Sequence, residues 1–270
     1  MNIYLLGKNS FIGKNYYLKL KENFESENLI CLSHDNIKEL KNITSNDIII
    51  NFCGINRGAT EEDFINGNLN FIKNILYYLK EVYPYLIHIS SLMVYGFKNK
   101  NLFDLPNYQR YFINSKLLAE NHLINNYPKN KLCIIRPSNI FGFDCEPYYN
   151  NILVTLIHEK IKKEYKINKI NKNCLRNFLS IDGLIIEIFD IMIEKKIGNF
   201  NIKSNNEIGL DKLINILYKY KLPESIQIIH DEESIIECEN EKIDGINIIV
   251  NENLENKIKE TENKIINISK

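Results

Sequence analysis

The chain has 270 residues, 44% of them hydrophobic, enough to bury one large core, or a main domain plus a smaller dependent one, without disulfides or metals. Lysine plus arginine and aspartate plus glutamate each number 34, so the basic field that nucleic-acid binding requires is missing and a DNA or RNA partner is not expected. The six cysteines, Cys31, Cys53, Cys133, Cys145, Cys174 and Cys238, form no CxxC pair and read as reduced thiols, with no metal site, in a cytoplasmic protein.

The N-terminus opens directly on the strand-like Asn2-Ile3-Tyr4-Leu5-Leu6, without a basic region and apolar stretch of a signal peptide. No apolar run approaches the roughly 20 residues of a membrane span, which predicts a soluble protein. Apolar or β-branched runs at Ile3 to Leu6, Leu29 to Leu32, Asp47 to Phe52, Leu86 to Ile89 and Leu132 to Ile135 predict strands. Between them Phe11 to Lys21, Glu61 to Lys80 and Tyr108 to Asn125 carry apolar residues at three- and four-residue spacing, the pattern of helices covering a sheet. The alternation predicts an α/β fold with a doubly wound parallel sheet, whose ligands bind beyond the carboxyl ends of the strands.

After residue 142 the pattern loosens. Helices are expected near Asn151 to Glu164, Ile181 to Glu194 and Leu210 to Tyr220, and strands at Gly198 to Ile202 and Ile226 to Ile229. The amphipathic stretch Leu254 to Ile268 reads as a packed terminal helix in preference to a partner-binding one. Residues 1–142 are thus expected to form the first domain and residues 143–270 mainly a small mixed lobe, with later segments returning to the first domain.

Several loops fall where a ligand of such a sheet would lie. Gly7-Lys8-Asn9-Ser10-Phe11-Ile12-Gly13 keeps the outer glycines of a GxxGxxG phosphate loop, with serine in the middle. The first glycine permits the tight strand-to-helix turn, the last lets helix and sheet approach, and the free N–H groups of the helix start suit a pyrophosphate. Ser10 reads either as a hydroxyl donor to phosphate or as a plain helix cap. Asn51-Phe52-Cys53-Gly54 ends the third strand, Ser90-Ser91-Leu92-Met93-Val94-Tyr95-Gly96 the fourth, and Arg136-Pro137-Ser138-Asn139-Ile140-Phe141-Gly142 the fifth, while Ser115-Lys116-Leu117-Leu118-Ala119-Glu120 sits on a helix. In isolation Ser91 could be a strand-end cap and Lys116 an exposed helix lysine.

Taken in order, these stretches resemble the extended short-chain dehydrogenases/reductases that act on nucleotide sugars, the epimerase/dehydratase family, over roughly residues 1 to 215. Gly54-Ile55-Asn56-Arg57, Gly67-Asn68 and the run from Phe141 to Asn150 look most like the reductase domain of capsular polysaccharide enzymes that reduce a UDP-linked 4-keto-6-deoxy amino sugar. The resemblance implies a Rossmann-type dinucleotide domain in which Gly7, Ser10, Phe11, Ile12, Gly13, Ser33, His34, Asp35, Cys53, Gly54, Ser90, Lys116 and Pro137 hold the cofactor. It further implies a substrate site of Ser91, Asn139 and Arg176, the arginine gripping the nucleotide diphosphate through its planar fork, and a homodimer paired through the helices Glu61 to Lys80 and Tyr108 to Asn125. Ser91 and Lys116 match the family's catalytic serine and lysine.

The family's tyrosine, four residues before the lysine, falls on Phe112, which has no proton to exchange. Loss of such an acid or base lowers rate by about 10²- to 10⁴-fold. Tyr111 lies about 100 degrees round the helix and Tyr108 one turn before, while Tyr95, Cys145 or a water held by Ser91 are other sources of a proton. At the second strand's end Leu32-Ser33-His34-Asp35 gives mixed signals, an acid suiting NAD and serine with a basic side chain suiting NADP; the reductase likeness favours NADP. Leu92 and Met93 stand where related dehydratases carry acidic residues, which argues against dehydration. The expectation is an NAD(P)H-dependent reductase of a nucleotide-linked 4-keto-6-deoxy sugar in surface polysaccharide synthesis; the alternatives are a 4-epimerase and a catalytically silent binding protein, which Phe112 and Ser10 favour.

Overall fold

A computed structural model describes residues 1–96, 101–149, 151–167, 169–171, 174–219, 223–224, 226–229 and 244–268. The expected order of elements is present: β1 (Ile3–Leu6), α1 (Phe11–Asn23), β2 (Leu29–Leu32), β3 (Ile48–Asn51), α2 (Glu61–Phe64), α3 (Phe71–Leu79), β4 (Tyr85–Ile89), α4 (Asn107–Asn126) and β5 (Leu132–Pro137). The single helix predicted over Glu61 to Lys80 contains a π-helical insertion, Ile65–Asn70, between α2 and α3. Beyond β5 come β6 (Asn139–Phe141), α5 (Ile152–Lys162), β7 (Lys169–Asn171), β8 (Leu175–Ser180), α6 (Ile181–Glu194), β9 (Gly198–Ser204), β10 (Glu207–Gly209), α7 (Leu210–Tyr218), β11 (Gln227–Ile229), β12 (Ile246–Val250) and α8 (Leu254–Ile268).

Seven strands form one wholly parallel sheet in the order β12-β9-β5-β4-β3-β1-β2, so this is the doubly wound Rossmann-type α/β fold. The strands read as unbroken apolar runs because they are covered on both faces. Ile3, Leu5, Ile50 and Ile87 face α1 and α6 through Tyr16, Leu20, Leu184 and Ile188, whereas Tyr4, Leu6, Ile49 and Leu86 face α3 and α4 through Phe71, Ile75, Ala119 and Leu123. Small sheets, β10-β8-β6 and β11-β7, sit beside a third core in which α5, α7 and α8 bury Leu156, Leu213 and Ile258 among others. Helix α8 is therefore a packed helix, burying Leu254, Ile258, Thr261 and Ile265.

The register positions the site. Leu6 is paired with Leu32 on one side and Asn51 on the other, so the chain leaves β1 and β3 side by side where the winding direction reverses. Such a reversal opens the crevice in which this class of sheet binds its ligands.

Candidate active site

At the end of β1 Gly7 adopts φ +80°, and a Cβ there would lie 2.9 Å from Cys53 N. A Cβ on Gly13 would meet Gly7 O at 2.1 Å, so helix α1 starts hard against the turn, an approach only glycine permits. Ser10 is the N-cap of α1, its Oγ accepting from Gly13 N at 3.0 Å. Capping uses the oxygen as an acceptor and leaves the hydroxyl proton free to donate, so both readings of Ser10 are compatible.

The loop after β3 is held from two directions. Asn51 Oδ1 accepts from Cys53 N at 3.0 Å, and the Asn51 amide meets His88 Nδ1 at 3.1 Å. Asn68, delivered by the π-helical insertion, accepts from Ile55 N and donates to Ile55 O, both at 3.0 Å, and donates to Ser115 Oγ at 2.8 Å. Insertions of this kind occur often at functional sites.

Between these loops and the residues of the third core lies a cleft of about 860 Å³. Its wall brings together Ser10, Phe11, Ile12, Gly54, Ser90, Ser91, Lys116, Pro137, Asn139 and Arg176, all singled out from sequence. Gly7, Gly13 and Cys53 form the turns behind that wall. Ser33, His34 and Asp35 follow β2 outside the lining; Ser33 Oγ bonds Asn36 Oδ1 at 3.1 Å and the His34 ring packs on Phe71 at 4.2 Å between centroids.

Lys116 is buried, 7% exposed, and is no surface lysine. Its Nζ donates to Ile89 O at 3.3 Å, lies 2.9 Å from where a Cβ on Gly54 would stand, and is 6.0 Å from the centroid of the Phe112 ring. Burial pulls its pKa down to about 8 against the opposing pull of Glu120 and Cys53. Burial likewise pushes the Cys53 thiol up to about 12 and, with the Lys116 charge, holds His88 well below the ordinary imidazole value, so both neighbours are neutral near pH 7. Ser91 caps the turn after β4 by accepting from Met93 N at 3.2 Å, and its hydroxyl proton remains available to the cleft.

Phe112 lines the cleft and stands edge-on to Phe64, 6.4 Å between centroids. Of the phenols considered in its place, Tyr111 packs against Phe64 outside the lining, and Tyr95 donates or accepts with Asn201, Asp244 and Arg136, also outside it. Tyr108 and Cys145 do line the cleft. Arg176 donates to Leu175 O at 3.0 Å from its place on the wall.

A dinucleotide fits this wall. The glycines supply backbone where a side chain would intrude, and the hydroxyls of Ser90 and Ser138 are buried at the cleft with no hydrogen-bond partner among the described residues, as groups awaiting a polar ligand would be. Sequence reasoning missed Ser138, although it stands between the two flagged residues Pro137 and Asn139. It also missed Lys14, which lies next to Gly13 and reaches across the cleft to Asp144 at 3.3 Å, tying α1 to the segment after β6. Arg57 lies 5.7 Å from the Tyr108 ring centroid and 5.9 Å from that of Tyr149, to whose carbonyl oxygen its Nε–H donates. Among the described residues no cluster of His, Cys, Asp and Glu is arranged for a metal, the described cysteines are free thiols (Cys238 lies outside them), and no helix is long and apolar enough to cross a membrane.

Fold and cleft together define a Rossmann-type α/β protein with a dinucleotide-sized site at the switch point of its sheet. No family model matches the chain, nor does any curated protein. Solved structures do. MoeE5 in complex with UDP-glucose and NAD superposes with a TM-score of 0.76 at 12% identity, covering 100% of both chains. UDP-glucuronic acid 4-epimerase from Bacillus cereus in complex with NAD gives 0.75 at 18%, again over 100% of both chains. A dTDP-4-dehydrorhamnose reductase from Clostridium acetobutylicum gives 0.69 at 18%, over 100% of both. At these identities the likeness is one of fold.

Proposed function

We propose that the chain is an extended short-chain dehydrogenase/reductase, an NAD(P)H-dependent reductase of a nucleotide-activated 4-keto-6-deoxy sugar, working in the cytoplasm in synthesis of a surface polysaccharide. The observation that carries this reading is the convergence on one wall of Ser10, Ser91, Lys116, Asn139 and Arg176, which come from separate loops and elements of the chain. Solved structures of the same fold whose names include nucleotide-sugar epimerases and a reductase support it. The capsular reductase likeness of the sequence and the acid-free Leu92-Met93 pair favour reduction over dehydration.

In this reading the helix start at Ser10 to Gly13 takes the cofactor pyrophosphate and Lys116 donates to the nicotinamide ribose. Residues Ser33 to Asp35 face the adenine ribose, where serine and His34 suit the extra phosphate of NADP. The bound dinucleotide supplies hydride. Ser91 donates to the keto oxygen, Arg176 makes paired bonds to the diphosphate, and residues 143–270, apart from α6, β9 and β12, which return to the main sheet, mainly shape the sugar-nucleotide pocket. The subunit pairs with a second copy through α2 to α3 and α4. Phe112 favours one other reading, a catalytically silent protein that binds dinucleotide or nucleotide sugar.

Oxidation of NADPH and NADH by the purified protein, given UDP-, GDP-, dTDP- and CDP-linked 4-keto-6-deoxy sugars in turn, tests the proposal. Turnover with one of them is expected. Cofactor binding with no turnover across the panel would overturn the reductase reading in favour of the silent one.

A further inference from the structure

Hydride addition to a keto carbon leaves an oxygen that must be protonated, and Phe112 has no proton to give. The other phenols of the region are poorly placed. Tyr111 is packed on Phe64, and burial pushes the Tyr95 hydroxyl up to about 12 within its bonds to Asp244 and Asn201. Tyr108 lies two turns from Lys116 at the exposed end of α4, and burial pushes the Cys145 thiol up to about 11.

Lys116 is differently situated. Its ammonium lies within the cleft wall beside the Phe112 ring, and one of its three donors is used on Ile89 O. The carboxylate one helical turn on, Glu120, is committed elsewhere: Arg136 from β5 donates Nε–H to its two oxygens at 3.1 and 3.2 Å and a terminal N–H at 2.6 Å. The groups that face Lys116 from the other strands, Cys53 after β3 and His88 on β4, are neutral for the reasons given above. The lysine is thus a desolvated cation without a carboxylate of its own, at the position where the ring beside it offers no hydroxyl.

We propose that in this chain Lys116 is itself the catalytic acid, giving an Nζ–H proton to the substrate oxygen, directly or through one bridging hydroxyl or water. This rests on the reductase reading. As hydride bonds to the keto carbon, the C=O π pair moves onto oxygen, the sugar carbonyl is reduced and the dihydronicotinamide oxidised. An N–H bond of Lys116 breaks with its pair left on nitrogen, an O–H bond forms, and the neutral amine regains a proton from solvent. A pKa drawn to about 8 by burial makes the ammonium a usable donor near neutrality, where an exposed lysine at about 10.4 gives its proton less readily.

Two measurements test the assignment. Lysine-selective NMR titration of the protein without cofactor, with K116R to assign the signal, is expected to show one lysine titrating near 8; the ordinary value of about 10.4 overturns the proposal. In turnover, activity is expected to fall about tenfold per pH unit above that value, because the protonated amine is the acid. K116R keeps the charge but not a readily transferable proton; with a far-UV circular dichroism spectrum matching the parent, it is expected to lose at least ~100-fold in turnover at saturating NADPH. Adding Phe112→Tyr to K116R is expected to restore about tenfold or more by resupplying a hydroxyl. A K116R variant that turns over within about fivefold of the parent overturns the assignment and leaves the reductase reading standing. A parent protein that binds neither dinucleotide overturns both.

Discussion

Glu120→Gln is the substitution whose effect the structure fixes most tightly. The Arg136 and Glu120 side chains are 5% and 2% exposed, and the glutamine would keep the shape while removing the charge that faces a buried guanidinium. Breaking such a pair from one side destabilises by about 3–5 kcal/mol, because the remaining charge has been taken from water. Arg136 keeps a second carboxylate, Asp244 Oδ1 at 2.7 Å, but that side chain is 60% exposed and its attraction is screened by solvent. The lower end, about 3 kcal/mol, is therefore expected, which for a chain of this size lowers the melting temperature by roughly 6–12 °C. Asp244→Asn should lose under about 1 kcal/mol, since it changes the exposed arm of the same arginine. Urea unfolding followed by circular dichroism measures both. A loss below about 1 kcal/mol for Glu120→Gln, or a larger one for Asp244→Asn, would show that burial does not set the worth of these pairs.

Other substitutions probe other levels of the molecule. Gly13→Ala places a methyl 2.1 Å from Gly7 O, so the turn must open and NADPH affinity, read by cofactor fluorescence, should fall at least about tenfold; affinity within about twofold would contradict the phosphate-loop geometry. Asp47 accepts from Asn2 N at 2.7 Å and from Thr44 N and Oγ1 at 2.8 Å, and although burial works to raise its pKa, these bonds hold the carboxyl below its ordinary value. A depressed folded pKa gives stability that is present above the unfolded value near about 3.9 and lost as pH falls through the folded one. The stability gap between the parent and Asp47→Asn should accordingly be flat above about pH 5 and shrink in acid; a gap that widens on acidification would reverse the sign. Ile258→Ala, on the buried face of α8, should lower stability by about 2–5 kcal/mol in the same urea assay, and a change below about 0.5 kcal/mol would mean that the helix is not part of the core.

What the sequence revealed follows from burial. The strands β1 to β5 are apolar on both faces, so their runs stood out, and α8 declared itself through Leu254, Ile258 and Ile265 at helical spacing. The strands β6, β7 and β10 span three residues each, too short to show a period, and β12 lies at the sheet edge with Ile246 and Ile249 exposed, which blurs the usual strand signal. The π-helical insertion could not be read because the buried Phe64, Phe71, Ile75 and Leu79 keep seven- and four-residue spacing across it, as in an unbroken helix. At the site, the glycines and Ser10 were legible because turn chemistry is local. The burial of Lys116 was not: a lysine on an amphipathic helix ordinarily faces water, and here it is the loop from Gly54, clamped by Asn68, that closes over it.

The strand order has a consequence for how the chain acquires this structure during synthesis. Arg136 meets Glu120 16 positions earlier in the sequence, but its other carboxylate, Asp244, is 108 positions later, just before β12 completes the sheet. At about 5–20 residues per second a ribosome needs roughly 5–20 s to make that stretch. For the first part of that interval, until Gly198–Ser204 are made, β5 is the outermost strand of a half-built sheet, with an open flank that only β9 will cover. The local glutamate gives the arginine a partner throughout the wait, so the nascent edge carries a neutralised charge instead of a bare one.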